Sequence, residues 1–203
     1  MSTLEISAQM VKELREATGA GILDCRKALT ETGGDFEKAV AYLREKGLAS
    51  AAKKAGREAK DGKVELYSHA GGRVGVMVEV NCETDFVART EQFQAFAHDL
   101  ALHIAASAPR YMDVADVPAE VVEAERAIAR NRAKEDGKPE KIWDKIVDGR
   151  LEKFYQEVCL LKQPYVKDES KTIAELLKET ISAIGENVII RRFARWELGE
   201  SAQ

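Results

Sequence analysis

Residues 63–80 restrict the fold of this chain more than any other stretch. KVELYSHA (63–70) alternates polar and apolar, Gly71-Gly72 follows, and RVGVMVEV (73–80) alternates again. Successive side chains on a strand point to opposite faces, so Val74, Val76, Val78 and Val80 line one face. A two-glycine connection suits a type I′ or II′ turn, which closes a β-hairpin. One face of that hairpin is greasy, and the rest of the chain must cover it.

Suitable cover follows. From 90 to 106, Phe93, Phe96, Ala97, Leu100, Ala101 and Ile104 recur at helical spacing; Thr90 can cap the helix and Pro109 lies beyond its end. A second helix, 172–184, opens on a capping box of Thr172 with Glu175. It carries Ile173, Leu176, Leu177, Ile181 and Ile184 and stops at Gly185. VIIRRFARWEL (188–198) reads as a strand with β-branched and aromatic residues on both faces. Such a strand needs cover on both sides. One side falls to the chain's own helices, the other to a second copy packed sheet to sheet, as expected for a C2 homodimer.

Upstream, residues 1–52 read as three short helices. Ser7 caps the first, which carries Met10, Val11 and Leu14, and Asp24 is expected to cap the second. Asp35 caps the third, with Phe36, Ala39, Val40 and Leu43 inward and Gly47 at its end. LASAAKKAGREAKDG (48–62) loses its large apolar residues and reads as a solvated helical linker, assigned to 53–62. Residues 118–157 hold two long polar helices around Gly137-Lys138-Pro139. Val121, Ala124 and Ile128 form one narrow stripe and Ile142 and Ile146 the facing one, which suits a projecting helical hairpin. The class is α+β: an N-terminal three-helix domain (1–52), a linker (53–62) and a core (63–203). That core combines a three-stranded antiparallel sheet, packing helices and the inserted hairpin.

Chemistry is sparse. The net charge of −4 gives no general attraction to nucleic acid or an anionic membrane. KKAGREAK is short and lacks aromatics, so direct nucleic-acid binding is not expected. No run approaches the ~18 apolar residues of a membrane helix, and MSTLEISAQMVKEL lacks the basic and apolar regions of a signal peptide. Cys25, Cys82 and Cys159 are far apart and form no CxxC pair, which points to a reducing, cytoplasmic setting. There is no GxxxxGK[ST] loop, and TGAGILD follows a helix rather than a strand. His98 and His103 are five apart and point away from each other on a helix, so they share no metal. His103 itself reads as a half-buried packing residue. Cys82 sits beside Glu83 with no histidine near in sequence, so its thiol is not activated. No enzyme, cofactor or metal site is indicated. What remains is binding surface, including the connection NCETDFVART (81–90). It carries one bulky aromatic, Phe86, that neither neighbouring pattern requires.

Several motifs, in one order, resemble the elongation factor Ts family: VKELREATGAGILDCRKAL (11–29), VEVNCETDFVA (78–88), EDGKP (135–139), DGRLEKF, QPYVKD and GENVIIRRF. The resemblance is to the short, single-core form and spans nearly the whole chain. It implies a guanine-nucleotide exchange factor for elongation factor Tu in translation elongation. The first domain would be ubiquitin-associated-like and dock on the partner through Leu14, Arg15, Ile22 and Leu23, with Ile22 and Leu23 standing where the family often has methionine. Thr84, Asp85, Phe86 and Val87 would disturb the partner's magnesium, with Phe86 as a wedge, and His103 would reach the partner surface. The hairpin would be a coiled-coil arm. The alternative is a ubiquitin-associated-like adaptor without exchange activity.

Overall fold

A computed structural model describes residues 6–200 of the chain. Among them are eight α-helices, α1–α8, and five strands, β1–β5.

Helices α1 (Ala8–Thr18), α2 (Ile22–Glu31) and α3 (Phe36–Lys54) form a compact group with its own core. Val11, Leu14, Cys25, Ala28, Leu29, Ala39 and Leu43 pack together there, ringed by Ile6, Met10, Val40 and Tyr42. Ser7 accepts a hydrogen bond from Met10 N at 3.2 Å, and Asp35 accepts one from Lys38 N at 3.0 Å. Both satisfy amides that the first helical turn leaves unpaired.

Three expectations need correcting here. Asp24 does not cap α2: the helix starts at Ile22 with Gly21 at its cap, and Asp24 lies in the first turn, paired with Lys46. Phe36 is exposed rather than inward. Helix α3 passes through Gly47 to Lys54. A Cβ at position 47 would sit 3.0 Å from Ser182 Oγ, so this glycine marks a close approach rather than a stop. Further along the same helix, Lys54 Nζ donates to Ile181 O at 3.4 Å.

β1 (Asp61–His69), β2 (Val74–Cys82) and β5 (Ile189–Glu197) form one antiparallel sheet in the order β1-β2-β5. Val74, Val76, Val78 and Val80 are buried, as their alternation requires. The hairpin turn is longer than two residues. His69 O accepts from both Gly72 N and Arg73 N at 3.1 Å, and Ala70, Gly71 and Gly72 all have positive φ. Near the other end of β1, Gly62 has φ +142°, and a Cβ there would come within 2.1 Å of Val80 O. Only glycine fits that backbone.

α5 (Glu91–Ser107) buries Phe93, Phe96, Ala97, Leu100, Ala101 and Ile104, and Thr90 Oγ1 accepts from Phe93 N at 3.3 Å. α8 (Ile173–Ile184) opens on the expected capping box: Thr172 N donates to Glu175 Oε2 at 2.9 Å and Glu175 N to Thr172 Oγ1 at 3.2 Å. A small second sheet was not foreseen. β3 (Pro164–Tyr165) pairs antiparallel with β4 (Asp168–Thr172).

α6 (Ala119–Glu135) and α7 (Trp143–Val158) form the helical hairpin, with a seam other than the one predicted. Ala129 packs with Val147 and Leu151, while Ile128 is exposed. Near the base of the hairpin, Phe154, Val158 and Cys159 pack with Val117. The small Ala129 lets the two helices approach, and the larger isoleucine is left outside.

The chain divides into two compact units. One comprises the chain up to Glu65 with Glu79–Ala97 and Leu177–Arg191; the other comprises Leu66–Val78, His98–Leu176 and the chain from Arg192.

Candidate functional site: partner-binding surfaces

The connection after β2 is a short helix, not an open loop. α4 spans Asp85–Ala88, capped by Thr84, whose Oγ1 accepts from Val87 N at 3.4 Å. Thr84 is extended (φ −132°, ψ 153°), and the chain turns into the helix directly after it. Phe86 falls on the outer side of this turn and is 78% exposed. Val87 is half-buried. Asp85 pairs with Arg89 through a 2.9 Å contact one helical turn away. An aromatic ring beside a carboxylate therefore stands clear of the protein's own core.

The turn is fixed from behind by a segment more than a hundred positions away in sequence. Glu83 N and Thr84 N both donate to Glu186 Oε2 at 3.0 Å, and Thr84 Oγ1 donates to Glu186 Oε1 at 2.7 Å. In return Asn187 N donates to Glu83 Oε1 at 2.6 Å, and Asn187 Nδ2 donates to Arg57 O at 2.8 Å. Arg57 approaches Glu83 at 3.5 Å. Sequence reasoning did not single out Glu186 and Asn187. Their only signal was their position in GENVIIRRF, directly after its first residue, the helix-stopping Gly185.

A second candidate surface lies on the three-helix group. Ile22 and Leu23 are 56% and 82% exposed at the start of α2. Ile22 and Arg15, with Ile6, Lys12 and Arg26, line an apolar groove of about 390 Å³ with a basic rim. Leu14 differs from the other three residues expected to dock: it is fully enclosed in the core and supports this surface from beneath.

His103 is also fully enclosed, not half-buried. Gln163 Nε2 donates to Ser107 O at 3.2 Å and Glu157 O at 2.8 Å, which orients its amide and leaves Oε1 as acceptor. His103 Nε2 lies 3.0 Å from that Oε1 and is therefore the protonated nitrogen, while Nδ1 accepts from Val166 N at 3.2 Å. Burial lowers the imidazole pKa, with the Gln163 contact opposing it more weakly. His103 is thus a neutral internal tie with no surface for a partner to touch.

The cysteines carry no reactive thiol. Cys82 and Cys159 are enclosed, and burial foremost pushes each up to about 11. Cys82 Sγ donates to Thr84 O at 3.2 Å and so belongs to the same turn. Among the described residues, no three His, Cys, Asp or Glu side chains gather to hold a metal. Nor is any helix among them long and apolar enough to cross a membrane.

Comparison with known proteins supplies what this geometry alone does not. The family model described as Elongation factor TS matches residues 5–200. A protein named Elongation factor Ts from Geobacter metallireducens is 61% identical over 197 residues, covering 97% of this chain and 91% of that protein. Its namesake from Desulforamulus reducens is 58% identical over 199 residues, covering 98% and 92%. That from Carboxydothermus hydrogenoformans is 60% identical over 195 residues, covering 96% and 90%.

Proposed function

The chain belongs to the elongation factor Ts family, and from that premise we propose that it is a guanine-nucleotide exchange factor for elongation factor Tu. Such a protein needs no chemistry of its own. It must bind the nucleotide-free partner better than the nucleotide-bound one, and that difference is a reciprocal coupling free energy. The partner's magnesium is the natural lever, because it demands near-ideal octahedral geometry.

One observation carries the proposal: Phe86, 78% exposed, on a turn held from behind. A free-standing phenylalanine gains roughly 1.5–3 kcal/mol when buried in a partner. That is enough to compete with local packing around a metal site. The held turn loses little entropy on binding, and Asp85 brings a carboxylate beside the ring. In this reading Thr84 to Val87 displace the groups that position magnesium. Arg15, Ile22 and Leu23 dock the three-helix domain, which is ubiquitin-associated-like. Leu14 and His103 act as internal supports. The hairpin of 118–157 is a further arm toward the partner.

The division into a helical domain (1–52), linker (53–62) and core (63–203) is part of the same proposal. It draws support from the separate apolar core of α1–α3. A homodimer through the sheet is favoured by exposed Leu66, Met77 and Trp196, which line one apolar groove of about 330 Å³. Action without cofactor, nucleic acid or membrane, in the cytoplasm, fits this role.

The test is release of fluorescent GDP from elongation factor Tu with and without the protein. Acceleration that Phe86→Ala abolishes supports the proposal. Binding through the helical domain with no effect on nucleotide would favour the adaptor alternative.

A further inference from the structure

Helix α4 has four residues. A helix that short does not hold itself together in water, because nucleation is unfavourable and few backbone bonds reward it: Ala88 N to Thr84 O, Arg89 N to Phe86 O and Thr90 N to Val87 O. Its far end runs almost directly into α5 at Glu91, and on its near side Phe86 is aimed by whatever fixes the residues leading into α4. Those are Glu83 and Thr84, and one side chain takes both of their amide protons and the Thr84 hydroxyl proton: Glu186.

We infer that Glu186 is the positioning residue for the Thr84–Val87 turn, setting where Phe86 points; this rests on the reading of Phe86 as the group that acts on the partner. Two amides directed at one carboxylate oxygen form a small anion-binding nest. Hydrogen bonds to a charged acceptor are about twice as strong as neutral ones. The hydroxyl bond adds a second constraint. With its proton on Glu186 Oε1, Thr84 Oγ1 offers its lone pairs to Val87 N, which is the cap of α4. One carboxylate thus fixes the exit from β2 and the rotamer of the helix cap together. Asn187, donating to Glu83 Oε1, closes the same segment in the opposite direction.

Replacement chemistry separates this role from simple packing. Glu186→Ala removes all three bonds. Glu186→Gln keeps an oxygen for the two amides but turns an NH₂ donor toward the Thr84 hydroxyl. The experiment measures fluorescent-GDP release from elongation factor Tu across factor concentrations, using the full chain, together with the amide proton signals of Glu83 and Thr84. The expected result for Glu186→Ala is a maximal rate lowered by ~10-fold or more, since a displacement of about 1 Å brings effects of up to ~100-fold. The half-saturating concentration stays unchanged. Glu186→Gln falls in between. The Glu83 and Thr84 amides shift and exchange faster, and in a Phe86→Ala background Glu186→Ala adds nothing. An unchanged maximal rate, a loss lying wholly in half-saturation, or full additivity with Phe86→Ala would overturn the inference. If Phe86→Ala itself leaves exchange untouched, the wedge reading fails instead. The two amides then decide the positioning role alone, and unperturbed signals in Glu186→Ala would refute it.

Discussion

His103 Nε2 and Gln163 Oε1 meet at 3.0 Å inside the protein, with no solvent reaching the imidazole. Because Gln163 spends its own NH₂ on two carbonyls, the pair has a single workable arrangement, with His103 neutral and Nδ1 accepting from Val166 N. The folded pKa lies below the ordinary value of 6.5. The unfolded chain thus takes up a proton before the folded one does. His103's contribution to stability is complete above pH 6.5 and is lost as pH falls below it, toward the folded pKa. Melting followed from pH 8 to pH 5 should show this decline, and His103→Asn should flatten it. An equal slope in both proteins would remove His103 as the cause.

Phe86→Ala should leave the melting transition nearly unchanged. The side chain is already mostly in water, and exposed substitutions stay within about 0.5 kcal/mol. A core phenylalanine would lose about 3–5 kcal/mol. Calorimetry on the variant decides between the two, and a large drop would return Phe86 to the core.

Leu23→Ala should likewise be neutral for stability, as Leu23 is 82% exposed. Its effect should fall on affinity for elongation factor Tu, by about 1–2 kcal/mol if it is a buried anchor in the complex. Titration calorimetry reads this directly. Undiminished affinity would move the docking surface elsewhere.

Gly62→Ala should destabilise by about 3 kcal/mol or more. Both a positive φ and a carbonyl oxygen 2.1 Å from the new methyl group oppose it. Denaturant unfolding measures the loss, and a neutral result would mean that β1 and β2 separate more easily here than their geometry suggests.

Strong periodicity made most of the fold legible. The hairpin, α5 and α8 follow from spacing, and Ser7, Asp35, Thr90 and Thr172 cap the helices as their side chains require. Where sequence failed, tertiary contacts had reassigned a residue. Gly47 looks like a helix stop but admits Ser182. Ile128 looks like a seam residue, yet the smaller Ala129 packs there. The site was half legible. Phe86 stood out because neither flanking pattern needed it. Glu186 did not, because its partners lie 102 and 103 positions away and no local pattern connects them.

That separation has a consequence for biosynthesis. The turn bearing Phe86 is complete in sequence by Ala88, yet its anchors are Glu186 and Asn187. Loop closure over so long an interval comes late and slowly in folding. A nascent chain that has already made TDFV lacks the means to hold it. The aromatic acquires a fixed direction only once synthesis has passed Asn187, so shorter nascent chains carry the motif without its geometry.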